Sequence, residues 1–443
     1  MTTTLVPPGP KGHFLLGVLP EIQRDELDFL RFLVREYGDI VFVRVVNHPV
    51  FVLNHPRDIE EVLLTNYGNF VKSIFLRESQ ALFGNGLLTS DGSTWVRQRR
   101  LLQPSFHHER VAAYSRIMVG HAERMLATWR DGETRDLLPD MIQLTMEIIA
   151  EVLFGDDLAS ETAQASEALR VFFEQFDERF GLYLIPEWLP TPGNIRYRRA
   201  IGRLDGLLEK VIRLRRSSGH DSGDILSMLL RVQAEDGSRM NERQLRDEMM
   251  TLFFTGHETT ALALSWTWYL LAQHPEVEAR VYEEVDRVLG QRVPTHEDIP
   301  QLHLVDAVIK ESLRLYPPAY GVVRQAVKDC QIGGYTVPAG TTLAMFPWMV
   351  HRDPRYFDRP EEFLPDRWSD GLAKRLPKCA YFPFSVGPRV CIGNTFALTE
   401  LALLIPVIVR KFQFQLAPGY RVHLNPSLTL RPRPGVKVVL KKR

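Results

Sequence analysis

From Asn241 to Gln273 the chain carries helical patterning without a break: Asn241 is suited to cap a helix start, and His274-Pro275 stops the run. At about 1.5 Å per residue such a helix is roughly 50 Å long. A rod of that length crosses an entire domain, so the remaining elements have to be built around it. Stretches 57–66, 93–103, 107–130 and 135–154 also repeat apolar residues at three-to-four spacing. Residues 56–318 therefore read as mainly α.

The β signals sit towards the two ends. Residues 40–54 (IVFVRVVNHPVFVLN) hold two β-branched runs parted by Asn47-His48-Pro49, the pattern of a hairpin. After Pro317-Pro318 come short runs at Arg324–Val327, Gly333–Val337, Thr341–Met345 and Val436–Leu440. The linker-like 215–223 (RRSSGHDSG) reads as a surface loop, because helical patterning resumes at Asp224. The expected class is mainly α with small β-sheets (α+β), one large domain over 1–443 with β-rich contributions from about 40–54 and 319–443.

Composition narrows the function. Lysine plus arginine (54) equals aspartate plus glutamate (54), which leaves no overall field for nucleic acid or an anionic surface. The three cysteines, Cys330, Cys379 and Cys391, are too few and too far apart for a disulfide framework or a zinc knuckle. His107-His108 and His257 come without a second ligand pair at usable spacing, so no metal is assigned to them. The opening residues lack a basic head followed by an apolar run, and nowhere do about 18 apolar residues follow one another. A cytoplasmic protein without a membrane anchor is expected.

One cysteine has neighbours that explain it. Phe384-Ser385-Val386-Gly387-Pro388-Arg389-Val390-Cys391-Ile392-Gly393 leads into a helix-forming run at 396–401. On a loop entering a helix, backbone N–H groups and the positive helix end favour thiolate over thiol. Gly387 and Gly393 permit positive φ and let a flat ligand approach the backbone, while Arg389 offers a rigid fork of donors suited to a carboxylate. An arbitrary cysteine in such a turn is most often a small buried core residue. The surroundings reverse that here, because the decapeptide fits Phe-x-x-Gly-x-Arg-x-Cys-x-Gly at every specified position.

This pattern resembles the signature of the cytochromes P450, and further motifs follow in that family's order. Glu311 and Arg314 form an E-x-x-R pair on a helix over Leu304–Tyr316, and Phe363–Trp368 carries Arg367. Thr255-Gly256-His257-Glu258-Thr259-Thr260 is similar to the oxygen-activation motif A-G-x-[DE]-T-T, with Thr255 where the family usually has alanine. Trp95 and Arg99 match W-x-x-x-R, and Arg324 follows the diproline where a propionate-binding arginine is expected.

The resemblance implies a soluble bacterial haem-thiolate monooxygenase, with haem b between the long helix and the cysteine loop and Cys391 as the axial metal ligand. Phe384, Gly387 and Gly393 would shape the loop. Arg389, Arg99, Trp95 and Arg324 would bind the haem, the arginines on its propionates. Glu311, Arg314 and Arg367 would lock the proximal scaffold, taken alone a weak surface pair. Gly256 would leave room for dioxygen, Thr259 would hydrogen-bond it and Glu258 would replenish protons. A local opening of the helix is expected there.

Phe172, Phe176 and Phe180 recur at helical spacing in what would be the lid over the distal pocket. Further pocket candidates by position are Phe75, Leu76, Phe83, Phe254, Thr255, Ala319, Val322, Val323, Leu428 and Thr429. A lining this apolar suits a fatty acid, terpenoid or similar lipophile. Residues 392–443 carry no glycine-rich dinucleotide fingerprint, so no fused reductase is expected. Electrons are expected from a ferredoxin or flavodoxin with its reductase, docking on a basic patch of Arg97, Arg100, Lys374 and Lys378 on a monomer. A peroxygenase or isomerase of the same fold, a haem sensor and a helical protein without haem stay open as alternatives. The Glu258–Thr259 pair favours dioxygen as the oxidant.

Overall fold

In the computed structural model, which describes residues 6–77, 79–155, 168, 171, 189–219, 221–232, 237 and 239–443, the Asn241 side chain accepts a hydrogen bond from the Gln244 amide at 2.8 Å. The helix it caps runs unbroken from Glu242 to Gln273. In chain order the main elements begin with α1 (Leu19–Tyr37), β1 (Ile40–Val45), β2 (His48–Leu53), β3 (Phe70–Lys72), α2 (Gly92–Leu102) and α3 (His108–Leu126). Next come β4 (Thr134–Asp136), α4 (Leu137–Phe154), α5 (Pro192–Ser218), α6 (Glu242–Gln273), α7 (Pro275–Leu289) and α8 (His303–Leu315). The remainder is β5 (Val322–Ala326), β6 (Cys330–Ile332), β7 (Tyr335–Val337), β8 (Thr342–Met345), α9 (Asn394–Val409), β9 (Phe412–Leu416), β10 (His423–Pro426), β11 (Leu430–Arg433) and β12 (Lys437–Lys442). No helix among the described residues is long and apolar enough to cross a membrane.

The chain divides into two compact units, one of Met1–Glu78 with Lys310–Cys391 and a second of Ser79–Ile309 with Ile392–Arg443. The first unit is organised by a five-stranded sheet in the order β1-β2-β8-β5-β3. The expected hairpin is there, with Ile40 opposite Leu53 and Val45 opposite His48. β2 then pairs in parallel with β8, Val50 opposite Thr342, and β8 pairs antiparallel with β5. Ile40, Phe51, Leu53, Phe70, Leu343, Met345 and Phe382 share one buried cluster in this unit. Each such side chain contributes about 1.5–3 kcal/mol by leaving water.

In the second unit α6 is buried on nearly every face, which is why its apolar residues do not form a single stripe. It packs most heavily along α4 and also against α5 and α9. α9 is buried almost throughout from Phe396 to Val409. β12 closes the chain by pairing with both β4 and β9, and β10 and β11 form a hairpin. The segment expected to be a loop from 215 begins instead as helix, since α5 continues to Ser218 and stops at Gly219 in the left-handed region. The reason is Arg215, a buried cation held by Asp224 at 2.6 Å and the Phe154 carbonyl at 2.8 Å.

Candidate active site

The cysteine loop closes on itself before α9 begins. The Ser385 amide donates to the Phe382 carbonyl, Val390 to Gly387 and Cys391 to Phe384, all at 2.9–3.0 Å. Gly387 has φ +78°, and a Cβ there would lie 2.2 Å from the Leu63 carbonyl oxygen, so both conformation and space demand glycine. Gly393 differs from expectation: its φ is −90°, and what it provides is open space, with nothing within 4 Å of where a Cβ would stand. The Cys391 thiol is exposed, whereas Cys379 is buried and its thiol is pushed up to about 12 by desolvation. Burial also raises Cys330.

Three cations gather on the β3–β5 side of the same unit. Arg324 on β5 stands in register with Lys72 on β3, and they are 8% and 5% exposed. Arg324 Nη1 donates to the Val323 carbonyl at 2.9 Å. Arg389 reaches from the cysteine loop to the Phe70 carbonyl at 2.7 Å. An exposed thiol with a trio of cations in its own unit fits a metal-centred ligand that carries carboxylates, as haem does. Lys72 carries no motif and joins this set only through its register with Arg324.

Glu311, Arg314 and Arg367 come together in one network, and it takes in more residues than the motifs name. Arg314 grips Glu311 with two bonds of 2.8 Å, both residues being 0% exposed. Arg367 Nε adds a third at 2.9 Å. The Trp368 indole and the Leu364 amide each donate to Glu311 at 2.9 Å. Arg314 also serves the carbonyls of His351, Pro360 and Glu362. His351 is held neutral by burial and by the neighbouring Arg314 and Arg352, and its Nε2 accepts from the Phe382 amide at 2.9 Å. Phe382 in turn anchors Ser385, so the network reaches the base of the cysteine loop.

The motif on α6 departs from expectation in two respects. No opening of the helix occurs: the Thr259 hydroxyl donates to the Thr255 carbonyl at 3.1 Å and Thr255 to Thr251 at 2.7 Å, within regular helix. Both hydroxyls bond a carbonyl four residues back on their own helix, and the helix is unbroken through them. Gly256 leaves no gap on its open side either, because a Cβ there would meet Ile149 of α4 at 2.7 Å. Its missing side chain lets α4 and α6 close on each other.

Glu258 is 1% exposed and is paired. Arg431 of β11 lies 2.7 Å from its Oε1, and Thr429, a pocket candidate by position, donates to the same oxygen at 3.2 Å. His257 is turned aside as expected, its Nδ1 2.9 Å from the Phe253 carbonyl and its pKa pushed down by burial. On α9, fully buried Glu400 is raised well above the usual carboxyl range by desolvation, which nearby Thr260 of α6 partly offsets.

Of the other candidates, Trp95 is buried and Arg99 half-buried on α2. Arg97 is half-buried and donates to Gln244 at 3.0 Å; Arg100, Lys374 and Lys378 are exposed, Lys378 at 3.4 Å from Glu60. Phe83 and Phe254 are buried edge to face, their centroids 4.9 Å apart, so they pack on each other. Leu76, Val322, Val323 and Leu428 are half-buried and Ala319 is exposed. Phe172, Phe176, Phe180 and the side chain of Phe75 lie outside the described residues.

A family model described as Cytochrome P450 matches residues 7–440. Cyclooctat-9-en-7-ol 5-monooxygenase of Streptomyces melanosporofaciens is 38% identical, covering 91% of this chain and 88% of its own length. Pentalenene oxygenase of Streptomyces avermitilis is 33% identical, with 94% and 91% covered. A solved structure described as retinoic acid bound cyanobacterial CYP120A1 superposes with a TM-score of 0.91 at 27% identity over 100% of both chains.

Proposed function

Because this chain belongs to the cytochrome P450 family and is a haem-thiolate monooxygenase with dioxygen as co-substrate, we propose that Cys391 is the thiolate that holds the iron. The observation that carries this reading is the exposed Cys391 thiol in one unit with Lys72, Arg324 and Arg389, while burial keeps Cys379 protonated. When bound, haem supplies an iron at which dioxygen is reduced and one of its atoms is inserted into the substrate. The three cations take the haem carboxylates; Arg99 and Trp95 are assigned to the haem by their motif alone. Glu311, Arg314 and Arg367 position the cysteine loop through His351 and Phe382. Glu258 carries protons inward, and the Thr259 hydroxyl exchanges its bond to the Thr255 carbonyl for one to the co-substrate.

The substrate class is a terpenoid hydrocarbon or alcohol. Two relatives that cover more than nine-tenths of this chain are named for oxidising cyclooctat-9-en-7-ol and pentalenene. A titration of the oxidised enzyme with terpenes, fatty acids, steroids and aromatic compounds tests this by displacement of the iron's water ligand. Cyclic terpenes are expected to give the largest spectral change at the lowest concentration; a response confined to fatty acids would overturn the assignment. Electrons come from a ferredoxin or flavodoxin, with the exposed cations Lys374 and Lys378 as its candidate contacts. Turnover with peroxide but none with reductase and ferredoxin would favour a peroxygenase instead.

A further inference from the structure

The Glu258 carboxylate is paired in a lopsided way. Both Nε and Nη2 of Arg431 lie 2.7 Å from Oε1, the Thr429 hydroxyl lies 3.2 Å from that same oxygen, and the buried Oε2 has no hydrogen-bond partner among the described residues. Glu311 shows the alternative within the same chain. Its two oxygens share donors from Arg314, Arg367, Trp368 and Leu364, as a carboxylate with a purely structural task requires. A bare buried oxygen beside a filled one needs a reason.

The elements around Glu258 explain how the asymmetry is held. β11 is fastened to α6 by the Trp266 indole, which donates to the Leu430 carbonyl at 2.9 Å. Thr429 and Arg431 flank that fastened residue, so the hydroxyl and the guanidinium are both delivered to Oε1. The Arg431 side chain is 21% exposed while that of Glu258 is 1% exposed, so the pair joins the interior of its unit to the surface. Two buried titratable groups among the described residues supply no competing charge: His257 is bonded to the Phe253 carbonyl and disfavoured as a cation by desolvation, and Glu400 of α9, beside Thr260, is raised well above the usual carboxyl range by burial. Arg431 is thus the cation that offsets the Glu258 charge.

We propose that Arg431 is the positioning residue of the proton relay: it keeps Glu258 as a carboxylate and pins Oε1, which leaves Oε2 as the oxygen that receives and releases protons. The inference rests on reading Glu258 as the proton carrier. In each pass Oε2 takes one proton from water and gives one to the co-substrate, so Glu258 ends as it began and the electrons are those of the established reaction. Without Arg431 the buried charge is uncompensated, the carboxyl holds its proton, and giving it up leaves a bare anion in the interior.

The test uses full-length holoenzyme carrying Arg431→Leu, Arg431→Lys or Glu258→Gln. In Arg431→Leu the infrared difference spectrum against the Arg431→Leu/Glu258→Gln double variant should show a protonated-carboxyl band that wild type and Arg431→Lys lack. Product formed per electron pair should fall about tenfold or more, with the balance appearing as peroxide, and its pH profile should move upward. Arg431→Lys should recover most of the loss, and the carbon monoxide spectrum should be unchanged in all three. Wild-type product yield in Arg431→Leu with no carboxyl band overturns the inference. So does equal loss in the leucine and lysine variants together with loss of the carbon monoxide spectrum, which would make the hairpin merely structural. Wild-type product yield in Glu258→Gln would instead remove the reading of Glu258 on which the inference stands.

Discussion

Replacing Glu311 by alanine removes the acceptor of five hydrogen bonds at once, two from Arg314 and one each from Arg367, the Trp368 indole and the Leu364 amide. Arg314 stays charged at 0% exposure, with only the carbonyls of His351, Pro360 and Glu362 left to it. Breaking a buried ion pair from one side costs about 3–5 kcal/mol. Each orphaned N–H adds about 1–3 kcal/mol. These losses overlap because the donors share one carboxylate, so about 5 kcal/mol is the working figure, comparable to the low end of a domain's whole stability. Soluble yield, the ratio of haem to protein and the urea midpoint measure the effect. Glu311→Ala is expected to give little folded protein and almost no bound haem, and Glu311→Gln an intermediate result. A Glu311→Ala protein with full haem content and a stability within about 1 kcal/mol of wild type would refute the reasoning.

Gly387→Ala forces a Cβ to within 2.2 Å of the Leu63 carbonyl at φ +78°; it should cost at least about 1 kcal/mol and lower haem content, read as a drop in thermal midpoint. The Glu26 carboxyl, which accepts from Tyr320 at 3.1 Å, is raised by burial to about 7. The native state therefore binds this proton more tightly than the unfolded chain does, and stability should fall as pH rises from about 4.5 to 7 by at most about 3 kcal/mol. Glu26→Gln should flatten that part of the profile, and an unchanged slope would refute the assignment. In haem-free protein, exposed Cys391 should be alkylated well before Cys379, whose thiol is pushed up to about 12. Peptide mass spectrometry after a short pulse of reagent would show equal labelling if this is wrong.

What was legible in the sequence is what rests on local rules. The long helix declared itself through Asn241 and Pro275, and the hairpin through Asn47-His48-Pro49 between β-branched runs, because capping, proline and turn chemistry act within a few residues. β3 and β4 did not, since three-residue strands have no period to detect and their partners lie 250 residues or more along the chain. The same divide runs through the site. Glu311, Arg314 and Arg367 carry a motif, but Trp368 and the carbonyls that complete their network are ordinary residues until folding brings them there.

Lys72 and Arg431 show the limit most plainly. Lys72 is a lone lysine in a short strand, and only its register with Arg324 makes it part of a cationic set. Arg431 stands in Leu430-Arg431-Pro432-Arg433, where nothing local separates it from a surface strand arginine. The expectations about α6 failed for a related reason. A motif names which residues meet the chemistry, but Ile149 against Gly256 and the Thr259 back-bond are properties of packing between α4 and α6 and of the helix itself.

We propose that Cys391 holds haem iron as a thiolate. The most direct measurement is the absorption spectrum of the reduced, carbon monoxide-bound protein, taken for wild type and for Cys391→Ser after haem-supplemented expression. The wild type should show the Soret band displaced strongly to longer wavelength, as a thiolate opposite carbon monoxide produces, and Cys391→Ser should lose that displacement. A wild-type spectrum without the displacement, or a Cys391→Ser spectrum that retains it, would contradict the account.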